Sequence, residues 1–154
     1  MSIRTKGAIW FSAAVLLIGT AMFYFTFSSH QPLELSEIAT DIAWATAISV
    51  IAGAWGFKYA TNIAKAATAI KAFGWGCLVA CLSLLTFDVL LWLIFMIGGI
   101  IGWFTNASSS NSFASLFAGL LLLLPMILFV SFSVACIGIV FAGIAGWLFW
   151  RRYR

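Results

Sequence analysis

The sequence predicts an all-α integral membrane protein: a four-transmembrane-helix bundle with both termini cytoplasmic and long third and fourth helices. Three observations predict it. Of the 154 residues, 64% are hydrophobic and only 8% charged, against about 25% charged in an ordinary soluble domain, and mean hydropathy is +1.14. The apolar runs are continuous rather than alternating, which in lipid means helices, because a helix satisfies its own backbone groups. Finally, the basic residues all fall on one side of the expected spans. Arg4 and Lys6 precede the first run, Lys58, Lys65 and Lys71 separate the second from the third, and Arg151, Arg152 and Arg154 follow the fourth. Lys/Arg bias in short loops sets topology. At this length, 1–154 is expected to be a single helical membrane domain.

The first span covers about 7–27. Arg4 and Lys6 could open a signal peptide, but the run from Ala8 to Phe27 is long for one and no A-x-A site follows it, so an uncleaved helix is expected. Pro32 breaks the chain before the second span, about 38–57. There Asp41 lies near the helix N-terminus, where the macrodipole favours a carboxylate. Residues 58–71 contain no Gly or Pro, so the helix is expected to continue through them into the cytoplasm. Lys58, Asn62 and Lys65 would share one face and Ile63, Ala67 and Ile70 the other. Such a basic face suits anionic headgroups or a partner, and a solvated linker is the plainer reading.

The last two spans, about 73–104 and 113–150, are too long for a bilayer. A helix from Ala72 to Phe104 would reach about 50 Å at 1.5 Å per residue, against a hydrocarbon core of about 30 Å. Gly98-Gly99 and Pro125 are the breakers. They permit either a re-entrant stretch over 98–124 or long, tilted helices that project beyond the bilayer, and the run Leu120–Leu124 favours the second. A projecting apolar end needs cover, which usually means protein. Between the spans, Asn106–Ser112 is a small polar tip, and Asn106-Ala107-Ser108 fits a glycosylation acceptor. Trp10, Trp44, Trp55, Trp75, Trp103, Trp147 and Trp150 read as interface anchors, whereas Trp92 falls mid-span.

Asp88 is the one residue with a claim to chemistry. It sits alone among apolar residues from Ala72 to Phe104, where a carboxylate costs roughly 2.5–3.5 kcal/mol at the bilayer centre. On a helical wheel Gly74, Cys77, Cys81, Leu84, Trp92, Phe95, Gly99 and Gly102 lie within about 40° of it, so it is expected to face a helix contact. The spans offer no Lys, Arg or His, which leaves Thr46, Ser49, Ser131 and Ser133, or a backbone carbonyl, as partners. A neutral interhelical hydrogen bonder is the plain reading. Pairing with a residue of another protein, or a proton or cation relay, are the functional ones.

Small-xxx-small faces mark close helix approach: Ala45, Ser49 and Gly53; Ala52, Gly56 and Ala60; and Gly138, Ala142 and Gly146. Cys77 and Cys81 lack a C-x-x-C arrangement and, with Cys136, read as small packing residues rather than redox or metal groups. His30 is the only histidine, and no nucleotide loop, zincin pair or Ser/His/Asp set is present. No enzyme activity, metal or cofactor is expected. The expected partners are the lipid bilayer and other membrane subunits or further copies of the chain. Nucleic acid is not among them, because the basic residues are split over three sites. The function expected is that of a non-catalytic subunit or accessory protein of a larger membrane complex, of secretion, conjugation or transport type, in a bacterial inner membrane. The alternatives are a small proton- or cation-linked transporter or channel using Asp88, and an immunity-type protein that neutralises a pore-forming toxin.

Overall fold

The computed structural model describes residues 1–27, 35–105 and 113–154, and every regular element among them is α-helix. These are α1 (Ile3–Phe27), α2 (Leu35–Ala64), α3 (Ala69–Thr105) and α4 (Phe113–Tyr153). Pro32, His30 and the tip at Asn106–Ser112 lie outside the described residues, as do the side chains of Asp41, Trp103 and Ser133. Both breakers are absorbed: α3 runs through Gly98-Gly99, and α4 carries Pro125 inside a continuous helix of 41 residues. One helical stretch, Ala69–Gly102, is long and apolar enough to cross a membrane, and a shorter apolar stretch covers Phe117–Phe129.

Local chemistry explains the helix starts. Ser2 caps α1, its Oγ accepting from the Thr5 amide at 3.2 Å. Thr68 caps α3 by accepting from the Lys71 amide at 3.3 Å. Several hydroxyls inside the helices are satisfied by their own helix backbone: Thr20 donates to Leu16 O, Thr46 to Ile42 O and Ser83 to Val79 O.

The expected helix over 58–71 is not continuous. α2 ends at Ala64, and Lys65–Thr68 form a turn without Gly or Pro. The Ala66 amide tightens the end by donating to Ile63 O at 3.1 Å. The freed Ala66 carbonyl accepts from the Trp150 indole at 2.8 Å, so a tertiary donor replaces the missing helical one. Ile63 is fully buried as its face predicts, but Ile70, assigned to the same face, is exposed.

The chain divides into two compact units, Met1–Ser83 with Cys136–Arg154, and Leu84–Ala135. In the first, α1 and α2 pack antiparallel, Gly7 meeting Gly56 and Ala60, and Gly19 meeting Ala45. Its core holds Phe11, Ile63, Val79 and Phe149, all at most 1% exposed. Phe11 and Phe149 rings lie 6.2 Å apart, and Trp10 donates to Ala145 O at 3.0 Å. The second unit is a hairpin made of α3 and α4 residues alone.

Candidate functional site

Within the second unit, α3 carries Asp88 into the contact with α4, where it is fully buried. Ser131 Oγ donates to Asp88 Oδ1 at 2.8 Å. Asp88 Oδ2 is buried and has no hydrogen-bond partner among the described residues. One turn along α3, Trp92 Nε1 donates to Leu120 O at 2.8 Å. That carbonyl lies in the turn preceding Pro125, whose missing N–H leaves the neighbouring Leu121 carbonyl without its usual donor. Trp92, out of place as an interface anchor, thus joins the two helices. Gly99 lets Leu120 approach, its missing Cβ position lying 3.3 Å from Leu120 Cδ1.

Of the four hydroxyls considered for Asp88, Ser131 is the one the structure brings to it. Ser49 donates instead to Thr46 O at 2.8 Å, and its own carbonyl accepts from Ser12 Oγ at 2.9 Å. Ser133 lies outside the described side chains. Within the chain, α4 covers Asp88 and Ser131 takes one of its two carboxyl oxygens. The arrangement can pin helix register through one polar bond, with one carboxyl oxygen left to donate or accept a second. Among the described residues no nucleophile–base pair is assembled around it, and no three His, Cys, Asp or Glu gather as a metal site.

The stripe drawn through Asp88 is only partly a contact face. Gly74 and Phe95 are exposed, while Cys77 Sγ donates to Ile139 O at 3.6 Å. Cys81 is half-buried, Cys136 is exposed, and none of the three cysteines forms a disulfide. Among the packing glycines, Gly53 lies against Ser12 and Ala8, and Gly56 against Gly7 and Phe11. A Cβ added to Gly146 would lie 2.8 Å from Ala72 O and from Gly76 Cα, and Ala142 lies against Gly76. Gly138 is a correction: it has nothing within 4 Å of its Cβ direction, because the close approach lies further along α4. Gly76 and Gly143 were not expected as contacts. Ala72-x-x-x-Gly76 is itself a small-xxx-small pair, facing the like-spaced Ala142 and Gly146, and would have pointed to the seam.

The first unit also gathers cations and aromatic rings at one end. Lys58 lies 4.8 Å from the Trp55 ring centroid, Arg154 4.9 Å from Trp150 and Arg151 6.0 Å from Trp147. Lys6 and Arg152 share the Tyr153 ring, at 4.9 and 5.8 Å, and Arg152 also lies 5.9 Å from Trp10. Tyr59 stacks between Trp55 and Trp75. Lys65 in the turn and Lys71 in the first turn of α3 are exposed. All three basic segments of the sequence thus meet around one set of helix ends. Compared with known protein families, curated proteins and solved structures, the chain matches none of them.

Proposed function

We propose that this chain is a non-catalytic, multi-pass subunit of a membrane complex that acts by helix–helix association, with four spans and its basic end in the cytoplasm. The observation that carries the reading is the length of α3 and α4. At 37 and 41 residues they reach about 55 and 60 Å, against a hydrocarbon core of about 30 Å. Even a 40° tilt, the upper end of the usual range, leaves α3 about 42 Å tall. Yet large apolar side chains stay exposed to its far end, with Ile97, Ile101 and Phe104 all more than half exposed. Only 22% of the most apolar window of Ala69–Gly102 is buried, which fits a lipid or protein neighbour and not the core of a soluble fold. Apolar surface beyond the bilayer is covered by another protein.

The test is purification of the tagged full chain in mild detergent, followed by mass spectrometry of what travels with it. A stoichiometric membrane partner, lost when Ile97 and Ile101 are both changed to Lys, is the expected result. A stable, monodisperse chain that purifies alone from its native host, unaffected by that double change, overturns the reading. Reporter fusions test the topology, and an extracytoplasmic signal at Arg154 would end it.

The unpartnered Asp88 Oδ2 favours a second reading, a proton- or cation-linked role. It ranks lower because a single carboxyl beside one hydroxyl is a short path, and transport sites are lined by several polar groups. Unchanged ion flux and assembly in Asp88→Asn removes it.

A further inference from the structure

Lys6 and Arg152 come from opposite ends of the sequence yet lie against the same Tyr153 ring. Sharing it places the two cations within about 11 Å of each other, near enough for one small anion to reach both. Among the described side chains, no acidic group lies beside them. The sequence has none from Ile42 to Phe87 and none after Asp88. Along α2, Asp41 is about 22 Å from Gly56, the residue that Gly7 packs against. The Trp10 indole is already bonded to Ala145 O, so its ring serves Arg152 as a platform only.

We propose that Lys6 and Arg152 hold the phosphate of an anionic phospholipid, with its acyl chains lying along the exposed sides of α1 and α4. The inference rests on the membrane reading above. A phosphate bridged by two charge-assisted hydrogen bonds of about 2.7–2.9 Å needs its cations roughly 8 Å apart, which the shared ring allows. What selects a lipid over a soluble anion is the surface next to each cation. On α1, Ile9 and Leu17 are 57% and 70% exposed and lie within about 60° of Lys6 around the helix. On α4, Leu148 and Phe141 are likewise exposed and lie within about 40° of Arg152. α1 and α4 run antiparallel here, Lys6 meeting Tyr153 and Trp10 meeting Phe149. Both apolar tracks therefore lead the same way from the cations. Each is about 16 Å long to Leu17 or Phe141, the depth of one leaflet. A nucleic acid or a free phosphate has no use for these tracks.

The experiment takes the full chain in zwitterionic detergent and adds phosphatidylglycerol or phosphatidylcholine at equal mole fraction. Retained lipid is counted by native mass spectrometry and thermal stability is followed by circular dichroism. Phosphatidylglycerol should be retained preferentially, and Lys6→Ala or Arg152→Ala should each weaken it roughly fivefold. Arg152→Lys should recover most of the loss, and Lys71→Ala, which removes an exposed cation of the same helix ends that does not share the Tyr153 ring, should leave binding unchanged. Inorganic phosphate should neither compete nor stabilise. Equal retention of both lipids, equal sensitivity to Lys71→Ala, or displacement by inorganic phosphate overturns the site. Any of these in a chain that still needs detergent for extraction leaves the membrane reading standing. A chain soluble without detergent defeats both.

Discussion

The two units differ in how far close backbone packing holds their helices together. In Met1–Ser83 with Cys136–Arg154, backbones approach through glycine and alanine: Gly7 on Gly56, and Gly146 on Ala72 and Gly76. Aromatic side chains fill the remaining space, Phe11 and Phe149 being fully buried. In Leu84–Ala135, Gly98, Gly102 and Gly119 face open space, and two polar bonds, Ser131 to Asp88 and Trp92 to Leu120, join the helices. Lipid tails are as apolar as Leu, so burial alone does not pull helices together in a membrane. Close packing and polar bonding are the two remedies; the first unit combines its glycine seams with bonds such as Ser12 to Ser49 O and Trp10 to Ala145 O, whereas the second leans on bonding.

The difference can be broken most severely at Gly76. Gly76→Leu should destabilise the first unit by about 3 kcal/mol through overpacking against Ala142 and Gly143, read as early unfolding and reduced helicity in mixed micelles. A variant as stable as the parent would show that the seam is loose. Next comes Ser131→Ala, which strands the whole Asp88 carboxyl and should cost about 1–3 kcal/mol. Adding Asp88→Leu should recover most of that, because removing both partners leaves nothing unsatisfied. If the double variant is instead the worse one, Asp88 has a partner besides Ser131. Trp92→Phe keeps the ring and loses the bond to Leu120 O, for about 0.6–1 kcal/mol on the same unfolding curve. Smallest, and opposite in sign, Gly98→Ala should stabilise by up to about 1 kcal/mol, as alanine does inside an exposed helix. A loss there would mean that the face is packed against something.

The helices themselves were legible. Continuous apolar runs placed helices at about 7–27, 38–57, 73–104 and 113–150, and the helices are Ile3–Phe27, Leu35–Ala64, Ala69–Thr105 and Phe113–Tyr153. The turn at Lys65–Thr68 was not legible, because no breaker marks it and the group that satisfies its open carbonyl, Trp150, is remote in sequence. The seam was half legible. Periodicity selects a helix face but not a depth along it, so Gly146 and Ala142 meet α3 while Gly138, on the same stripe, meets nothing. Asp88 illustrates the same limit. Composition exposed its need for a hydroxyl, but only the register of α3 on α4 chooses Ser131 over Ser49.

The indole of Trp150 also sets an order in time. The Ala66 carbonyl that it satisfies is made 84 residues earlier. At about 5–20 residues per second, ribosomal elongation leaves the α2–α3 turn unsealed for roughly 4–17 s. Trp10 waits longer still, since its acceptor Ala145 emerges 135 residues later. The nascent chain must therefore keep α1–α3 in a provisional arrangement, and the last turns of α4 act as the latch that closes it.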